Sequence, residues 1–475
     1  MLKDSVNFVK KCWIELCVFA SYAAVLLYIS PLDITQLNNG DKGFGLLYSA
    51  MFLERLHPSS LYTFLSFLVT HVGIPDGMAL AIFLSIVPSI ISNIFVYLTV
   101  KKITKSRFYA ICGSLFFMSS WIFIAQAVKL ETYMLVSMLF VIGYYVYLCG
   151  KSGWAMFWWG LSLLAHWIAA FPAIFGIIFY ETINKRLGLI KKWYVSVIVY
   201  AAIYLPWLFL LKVYNPDLGD QPFWFLLMIG WGAGPMSEVV GNIPRFLTCI
   251  FSVIGFGIFP ALLYFIKDLK NSSVLLFAFL IPVFYALVTI ADAVVMQLSI
   301  CVAFMAVAAG CGMQYVTEKW IKYSLVILSS LLFLASIFVW NIDTRPTSAR
   351  DMINQLNNIP DKSFVVEIRS YNGVSDTYGG SVAWTVDYYN RTHDKDIFTI
   401  NAGYLGQSLW VRGRQKIADR GIVFPSVDDM ITNNPKEVIS KIMTALQKSN
   451  PDKDFYYYKV LDTHTMKMEL AKWKN

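Results

Sequence analysis

Long apolar segments alternate with short polar loops over the first 340 residues of the chain, and then this pattern stops. A helix needs about 20 mainly apolar residues to cross a hydrocarbon core of roughly 30 Å. The pattern predicts about eleven membrane spans, at residues 13–30, 78–100, 108–128, 132–149, 154–165, 168–180, 193–211, 246–266, 274–290, 293–313 and 325–340. Segments 154–165 and 168–180 are short, and we expect them to be two half-helices or one bent hairpin.

Basic residues gather in alternate loops of this arrangement. They are Lys10, Lys11, Lys101, Lys102, Lys105, Arg107, Lys185, Arg186, Lys191, Lys192, Lys267, Lys270, Lys319 and Lys322. Since short cytoplasmic loops are rich in Lys and Arg, we predict a cytoplasmic N-terminus and an odd number of spans. The intervening loops and the C-terminal segment are then extracytoplasmic, in a plasma membrane or, in a eukaryote, the endoplasmic reticulum.

Composition agrees with an integral, multi-pass membrane protein. Hydrophobic residues make up 57% of the 475 residues and charged residues 15%, and the mean hydropathy is +0.57. The net charge of +9 follows from the basic loops, so no nucleic-acid partner is predicted. The seven cysteines lie in or beside the spans, and their spacing indicates neither a disulfide framework nor a metal site.

The last 135 residues have a mixed helix and strand pattern. Predicted helices cover 348–357, 383–389 and 435–448, and predicted strands cover 363–368 and 396–401. We therefore divide the chain into a transmembrane domain, residues 1–340, and a small extracytoplasmic α/β domain, residues 341–475.

Three ionisable groups are predicted to reach the outer face of the membrane. Asp41 follows the first span, Glu131 lies between the third and fourth, and His166 separates the two short segments. Such groups near a bilayer are costly and are candidates for function. Each also has a structural interpretation. Asp41 could cap the N-terminus of a helix, and Glu131 could be an acid in the first turn of a helix, where the helix dipole stabilises it. His166 could be a buried, hydrogen-bonded side chain. Together they predict an outward-facing polar cleft.

The order of several short motifs resembles the GT-C superfamily of membrane glycosyltransferases. The motifs are the loop acid Asp41, His57-Pro58 followed by Leu61-Tyr62-Thr63, Glu131-Thr132-Tyr133, and the Gly-Leu-Ser-Leu-x-x-His run that ends at His166. In the C-terminal domain, Asp376-Thr377-Tyr378 and the segments 381–389, 396–401 and 409–412 are similar to the protein O-mannosyltransferase-like branch. The resemblance implies a GT-C-like helical domain and an extracytoplasmic α/β domain.

Two positions depart from the family pattern. Members often carry a second acid after the loop aspartate, where this chain has Lys42-Gly43-Phe44, and many begin a late span with an Arg-Tyr pair, whereas residues 292–297 contain no arginine. The first departure bears on which acid acts, and the second on which cation holds the leaving phosphate.

The resemblance implies an inverting transfer of a mannose-like sugar from a polyprenyl-phosphate donor to an acceptor hydroxyl, as in protein glycosylation. Asp41 is then the expected general base and Glu131 a second catalytic acid. The groups expected to bind substrate are Lys42, Arg55, His57, Lys129, His166 and Arg245. Each cation among them could instead extend to lipid headgroups.

The implied partners are membrane lipid, the polyprenyl-phosphate sugar and a protein or glycan acceptor. No cofactor is predicted to be required, although the outer acids are numerous enough to bind a divalent cation. A transporter or flippase of a polar or lipid-linked substrate is the alternative, because intramembrane acids and broken helices also mark transport pathways. A non-catalytic receptor whose C-terminal domain binds a polysaccharide is a third interpretation.

Overall fold

The chain forms two compact units, a helical one and a C-terminal α/β one. The computed structural model describes residues 2–29, 61, 64, 65, 68, 82–127, 132–214, 253–288, 299–339, 349–370, 382–405, 408–411, 418–430, 437–462 and 467–473. Each unit is described by itself below.

The helical unit is a bundle of helices of unequal length. Its α-helices are α1 (Leu2–Ile29), α2 (Val87–Thr104), α3 (Arg107–Met118), α4 (Trp121–Ala127), α5 (Tyr133–Leu148), α6 (Ser152–Ile183), α7 (Trp193–Tyr214), α8 (Ile258–Lys267), α9 (Leu269–Val288), α10 (Ser299–Gly312) and α11 (Lys319–Val339). A π-helix, Ile82–Ile86, leads into α2, and short 3-10 turns occupy Ile190–Lys192, Gly255–Gly257 and Met313–Tyr315.

The predicted spans all overlap helices, but their number is not confirmed. Within the described residues, three helical stretches are long and apolar enough to cross a membrane, namely Cys12–Ile29, Phe83–Thr104 and Lys319–Phe338. Other predicted spans coincide with shorter apolar helices, such as Tyr133–Leu148 and Ile300–Tyr315. The predicted span 108–128 is divided between α3 and α4. The count of about eleven therefore remains a prediction.

Helix α6 is two arms joined at His166. The backbone of His166 is non-helical, with φ −165° and ψ 94°. An unbroken helix would place Ser152 and Glu181 about 43 Å apart. The hydroxyl of Tyr147, five residues before Ser152, nevertheless donates to Glu181 Oε1 at 2.5 Å. Since five extended residues span at most about 18 Å, the second arm runs back beside the first, and α6 is a hairpin.

One end of the bundle, which we call the basic end, collects the helix ends that carry the predicted cytoplasmic lysines and arginines. Polar contacts link neighbouring helices at this end in pairs. They are Arg107 and Tyr97 to Glu15, Lys322 to Tyr109, Tyr315 to Asp268, Tyr180 to the carbonyl of Lys270, and Tyr147 to Glu181. The basic loops therefore share one end of the bundle. That this end faces the cytoplasm remains a prediction.

The C-terminal unit is a five-stranded sheet with helices. The elements are α12 (Ala349–Leu356), β1 (Phe364–Ser370), α13 (Val382–His393), β2 (Phe398–Leu405), β3 (Ser408–Val411), α14 (Val427–Met430), α15 (Val438–Ser449), β4 (Phe455–Asp462) and β5 (Lys467–Lys472). The strand order is β3-β2-β1-β4-β5. Strand β1 is parallel to β2 and β4, and the two edge strands are antiparallel to their neighbours.

Alternation along β1 supplies both cores of this unit, because successive side chains of a strand point to opposite faces. Phe364 and Val366 pack with Ile442 of α15 on one face. Val365 packs with Met352 of α12 and other residues on the second face. The small C-terminal α/β fold predicted from the sequence is confirmed, although the strands β3, β4 and β5 were not predicted.

Candidate functional site

The bend of α6 lies against the first residue of α5. The ring centroids of His166 and Tyr133 are 5.1 Å apart with an angle of 34° between the planes, and both side chains are buried, at 5% and 1% exposure. From Ser152 to His166 the first arm rises about 21 Å. The His166 bend is therefore at the opposite end of the bundle from the basic end.

Two helix N-termini meet at this bend. Helix α5 begins at Tyr133, and among the described contacts the side chain of the N-cap residue Thr132 makes no capping hydrogen bond. The second arm of α6 begins after the non-helical residue His166. The first four N–H groups of an α-helix lack partners within the helix, and its dipole favours negative charge there. The arrangement can therefore hold an anion.

Buried polar side chains line the same ends of α4, α5 and α6. Ser162 donates to the carbonyl of Val136 at 3.3 Å. Within the part of the chain that the structure describes, Gln126 Oε1 and Ser137 Oγ are buried and have no hydrogen-bond partner. A buried polar atom without a partner costs free energy, so these atoms are suited to contact a polar group that enters the bundle from this end.

The structure describes one of the predicted site residues, His166, and puts it at the bend. The others, Asp41, Lys42, Arg55, His57, Lys129, Glu131 and Arg245, lie outside the described residues. Their roles therefore remain predictions.

Sequence reasoning assigned no role to Tyr133 or Gln126. Tyr133 belongs to the Glu131-Thr132-Tyr133 motif, so its position was marked although its contact with His166 was not. Gln126 is an amide within an apolar run, and this was the signal that could have drawn attention to it, since a polar residue in an apolar span commonly faces the protein interior.

The C-terminal unit has a cavity of about 330 Å³ at the edge where its parallel strands begin. It is lined by residues that precede or open β1, β2 and β4, together with Arg420. Ligands of open parallel sheets usually bind at the opposite, carboxyl edge. This cavity is therefore not the position at which a sheet of this kind usually binds its ligand.

Charges around this cavity are largely paired with each other. Arg420 forms an ion pair with Asp396, and Lys472 forms one with Asp454 at 2.6 Å. Asp361 Oδ1 accepts the amide N–H of Asp396 at 2.8 Å, and this hydrogen bond lowers the pKa of Asp361. These contacts join the loops before β1 and β2, so they have a structural role.

Metal ligation is not evident in the described part of the chain. Among those residues, no group of three or more His, Cys, Asp or Glu side chains is placed to hold a metal ion. The described cysteines at 12, 17, 112, 149, 301 and 311 are free.

No protein-family model matches the chain, and no curated protein matches it. The fold, by contrast, has counterparts among solved structures, and these show a mainly helical, ArnT-like fold. The apolar helices agree with an integral membrane protein.

Two of the similar structures are of ArnT from Cupriavidus metallidurans. The structure bound to undecaprenyl phosphate has a TM-score of 0.56 and 10% sequence identity, and the match covers 82% of this chain and 93% of that chain. The apo structure has a TM-score of 0.52 and 13% identity, and the match covers 67% and 62% of the two chains. At these identities the likeness shows the fold alone. It does not confirm the narrower O-mannosyltransferase-like branch.

Proposed function

We propose that the chain is an inverting glycosyltransferase that moves a sugar from a polyprenyl-phosphate donor to an acceptor hydroxyl at the extracytoplasmic face of the membrane. The observation that carries the proposal is the His166 bend, where two helix N-termini and a buried imidazole meet at the end of the bundle opposite the basic end. A similar fold has been solved with undecaprenyl phosphate bound to ArnT, a GT-C glycosyltransferase.

The bend supplies what a leaving phosphate needs. As the glycosidic bond breaks, negative charge grows on the phosphate oxygen, and fixed donors that face this oxygen stabilise the transition state. The imidazole of His166 and the backbone N–H groups at the starts of α5 and the second arm of α6 are such donors. The predicted cations Lys42, Arg55, Lys129 and Arg245 would add charge, and His57 a further donor.

The transfer itself is a single displacement. The acceptor oxygen forms a bond to the anomeric carbon while the bond from that carbon to the phosphate oxygen breaks, and the electron pair stays on the phosphate. The acceptor proton passes to a carboxylate, for which we assign Asp41. Glu131, two residues before Tyr133, orients the sugar or the acceptor. One displacement inverts the anomeric centre, and no covalent enzyme intermediate forms.

Three finer assignments belong to the same proposal. The donor sugar is mannose-like and the acceptor is a protein or glycan, as the motif resemblance implies. The C-terminal unit is extracytoplasmic and recognises the acceptor. The basic end of the bundle faces the cytoplasm, which agrees with the preference of Lys and Arg for short cytoplasmic loops.

Turnover of radiolabelled polyprenyl-phosphate sugars by the purified protein tests the proposal. Asp41→Asn keeps the size of the side chain and removes the base, so we expect sugar transfer to fall by a factor of about 10² to 10⁴ while the donor still binds. Equal turnover by the wild type and Asp41→Asn would show that Asp41 is not the general base. Glu131→Gln would then be the next variant to measure. Absence of turnover with every donor would contradict the proposed glycosyltransferase function and favour the alternative that the protein is a transporter or flippase.

A further inference from the structure

The connection between α6 and α7 crosses the basic end of the bundle. The second arm of α6 ends at Ile183, and α7 begins at Trp193. Ser196 of α7 donates a hydrogen bond to the carbonyl of Met156, which belongs to the first arm of α6. The connection therefore leads from the second arm to a helix that packs on the first arm. We call residues 183–194 the strap.

Four cations of the strap are exposed, and the strap contains no acid. The cations are Lys185, Arg186, Lys191 and Lys192. Among the described contacts, Arg186 has the buried carboxylate of Glu181 as a partner at 3.8 Å, whereas Lys185 and Lys191 have none. The strap therefore carries an excess of positive charge that the described part of the protein does not neutralise by pairing.

A neighbouring helix junction adds two more cations. The hydroxyl of Tyr180, on the last turn of the second arm, donates to the carbonyl of Lys270 at 3.4 Å. The α8–α9 junction, with its exposed Lys267 and Lys270, therefore lies beside the end of the arm. The acid at this junction, Asp268, already accepts a hydrogen bond from Tyr315 at 3.2 Å. Like charges gathered at one surface repel each other, and an anionic partner removes this repulsion.

Large apolar side chains lie among the cations of the strap. Leu187 and Trp193 are 49% and 56% exposed, and Trp154 at the start of the first arm is 61% exposed. Trp154 is two residues before Met156 and Trp193 is three residues before Ser196, so the bonded pair puts the two tryptophans at a similar level of the bundle. Tryptophan collects at the interface between membrane and water. The cations of the strap then lie at the level of the lipid phosphates.

Two cations at other helix ends of the basic end are bound within the protein. Arg107 forms an ion pair with Glu15, and the ammonium group of Lys322 lies 3.3 Å from the hydroxyl of Tyr109 and 5.2 Å from the centroid of its ring. The strap differs because its lysines and its apolar side chains are exposed together. Surfaces of this composition lie in the interface of membranes that contain anionic lipids.

We infer that the strap binds the headgroups of anionic phospholipids and that this binding holds the second arm of α6 and α7 together. The lipid phosphates accept hydrogen bonds from Lys185, Lys191 and Lys192, while Leu187 and Trp193 enter the boundary between headgroups and acyl chains. The inference goes beyond the proposed function and does not rest on it, since it involves neither the sugar donor nor the acceptor.

Site-specific crosslinking in nanodiscs tests the lipid preference. The nanodiscs contain equal amounts of phosphatidylglycerol and phosphatidylcholine with identical acyl chains, and the purified full-length protein carries a photo-crosslinking residue at position 187 or, for comparison, at position 327 on the exposed apolar face of α11. Mass spectrometry counts the captured lipids. We expect about tenfold more phosphatidylglycerol than phosphatidylcholine at position 187 and nearly equal amounts at position 327. Equal capture at position 187 would overturn the inference.

Two triple variants separate the strap from the net charge of the protein. K185Q/K191Q/K192Q is expected to remove the preference at position 187. K102Q/K105Q/K319Q removes the same number of exposed lysines from other helix ends of the basic end and is expected to keep it. An equal loss in both variants would assign the preference to net charge and contradict a site at the strap.

The melting temperature tests whether the lipid holds the helices together. Replacing part of the phosphatidylcholine by phosphatidylglycerol should raise the melting temperature of the wild type and of K102Q/K105Q/K319Q, and should leave that of K185Q/K191Q/K192Q unchanged. An equal rise in all three proteins would overturn this part of the inference. Inorganic phosphate in phosphatidylcholine nanodiscs should have no effect, and a rise with phosphate alone would show that the strap binds a soluble anion instead of a lipid.

Salt covers the case in which the strap variant does not fold. At about 1 M salt the screening length is about 3 Å, so the preference of the wild type at position 187 should fall to nearly equal capture. A preference that persists unchanged at this salt concentration would show that the strap cations do not cause it, and the inference would be overturned.

Discussion

The hydroxyl of Tyr147 donates a 2.5 Å hydrogen bond to Glu181 Oε1 across the base of the α6 hairpin. Tyr147 is one residue from the end of α5, and Glu181 is two residues from the end of α6. Glu181 is only 4% exposed, and Arg186 lies 3.8 Å from the same carboxylate oxygen. The contact closes the hairpin at the basic end and so keeps the bend at the other end.

Removing this hydroxyl should weaken the hairpin. Tyr147→Phe keeps the ring and, among the described contacts, leaves the buried Glu181 carboxylate with only the longer one to Arg186. We therefore expect the free energy of unfolding to fall by about 2 kcal/mol, as for other hydrogen bonds to charged groups. Thermal unfolding in detergent measures the change. Tyr323→Phe is the control, because Tyr323 is 59% exposed, and equal melting temperatures for the two variants would contradict the role of the Tyr147 contact.

Close packing against α9 holds the second arm, and glycine permits it. A Cβ atom on Gly176 would lie 2.6 Å from the carbonyl oxygen of Phe277, whereas one on Gly153, in the first arm, would meet nothing within 4 Å. We expect Gly176→Ala to destabilise the protein by about 1–3 kcal/mol. Gly153→Ala should be neutral or stabilising by up to about 1 kcal/mol. The same melting experiment compares them, and a reversed order would mean that the arm does not pack on α9 as described.

Hydropathy alone predicted that two short segments meet near His166, and left half-helices and a hairpin as alternatives. It could not choose between them, because the decisive contact joins Tyr147 and Glu181, which lie far apart in the chain. The pattern of apolar residues indicates where helices lie. Which helix ends meet is decided by single polar contacts between distant residues, such as the one that joins Arg107 to Glu15.

In the C-terminal unit, too, the residue pattern predicts where some elements lie, whereas contacts between distant residues decide where others are placed. Strands β1 and β2 and helices α12, α13 and α15 were predicted because their alternation or helical periodicity is regular. Strand β4 was not predicted, although it contains Phe-Tyr-Tyr-Tyr, a run with strong strand preference. Strand β5 has buried Met468 and half-buried Leu470 two residues apart, but it is short and charged, and its place is fixed by pairing with β4.

His166 should act on the phosphate and not on the lipid chain. His166→Leu removes the ring N–H donor, so we expect a polyprenyl phosphate to bind about 10- to 100-fold more weakly, with no change for the corresponding polyprenyl alcohol. His166→Gln keeps an N–H donor and should retain most of the affinity. An equal loss for phosphate and alcohol would show instead that His166 is needed only for packing against Tyr133.

Acid should loosen the contact between the loops before β1 and β2. The hydrogen bond from the Asp396 amide lowers the pKa of Asp361, so the charged form is favoured in the folded state. Its stabilising effect is present above the unfolded pKa of about 3.9 and is lost as the pH falls through the lower, folded value. Hydrogen exchange of the Asp396 amide should therefore show protection that declines with acid in the wild type.

Asp361→Asn should remove this decline, because an amide oxygen accepts the hydrogen bond without titrating. Asp452→Asn serves as the control, because Asp452 lies at the same cavity but its side chain is 76% exposed. In this variant the protection of the Asp396 amide should still decline with acid. A decline of equal size in Asp361→Asn and the wild type would assign the acid sensitivity to another group.

The central claim is that this ArnT-like bundle breaks the bond between a sugar and a lipid phosphate. Phosphorus NMR of the purified protein in liposomes that contain a polyprenyl-phosphate sugar tests it most directly. We predict that the phosphodiester signal of the donor converts to the monoester signal of polyprenyl phosphate when an acceptor is present, and that Asp41→Asn abolishes the conversion. A donor signal that stays a diester while the lipid moves between leaflets would contradict the account and identify a flippase.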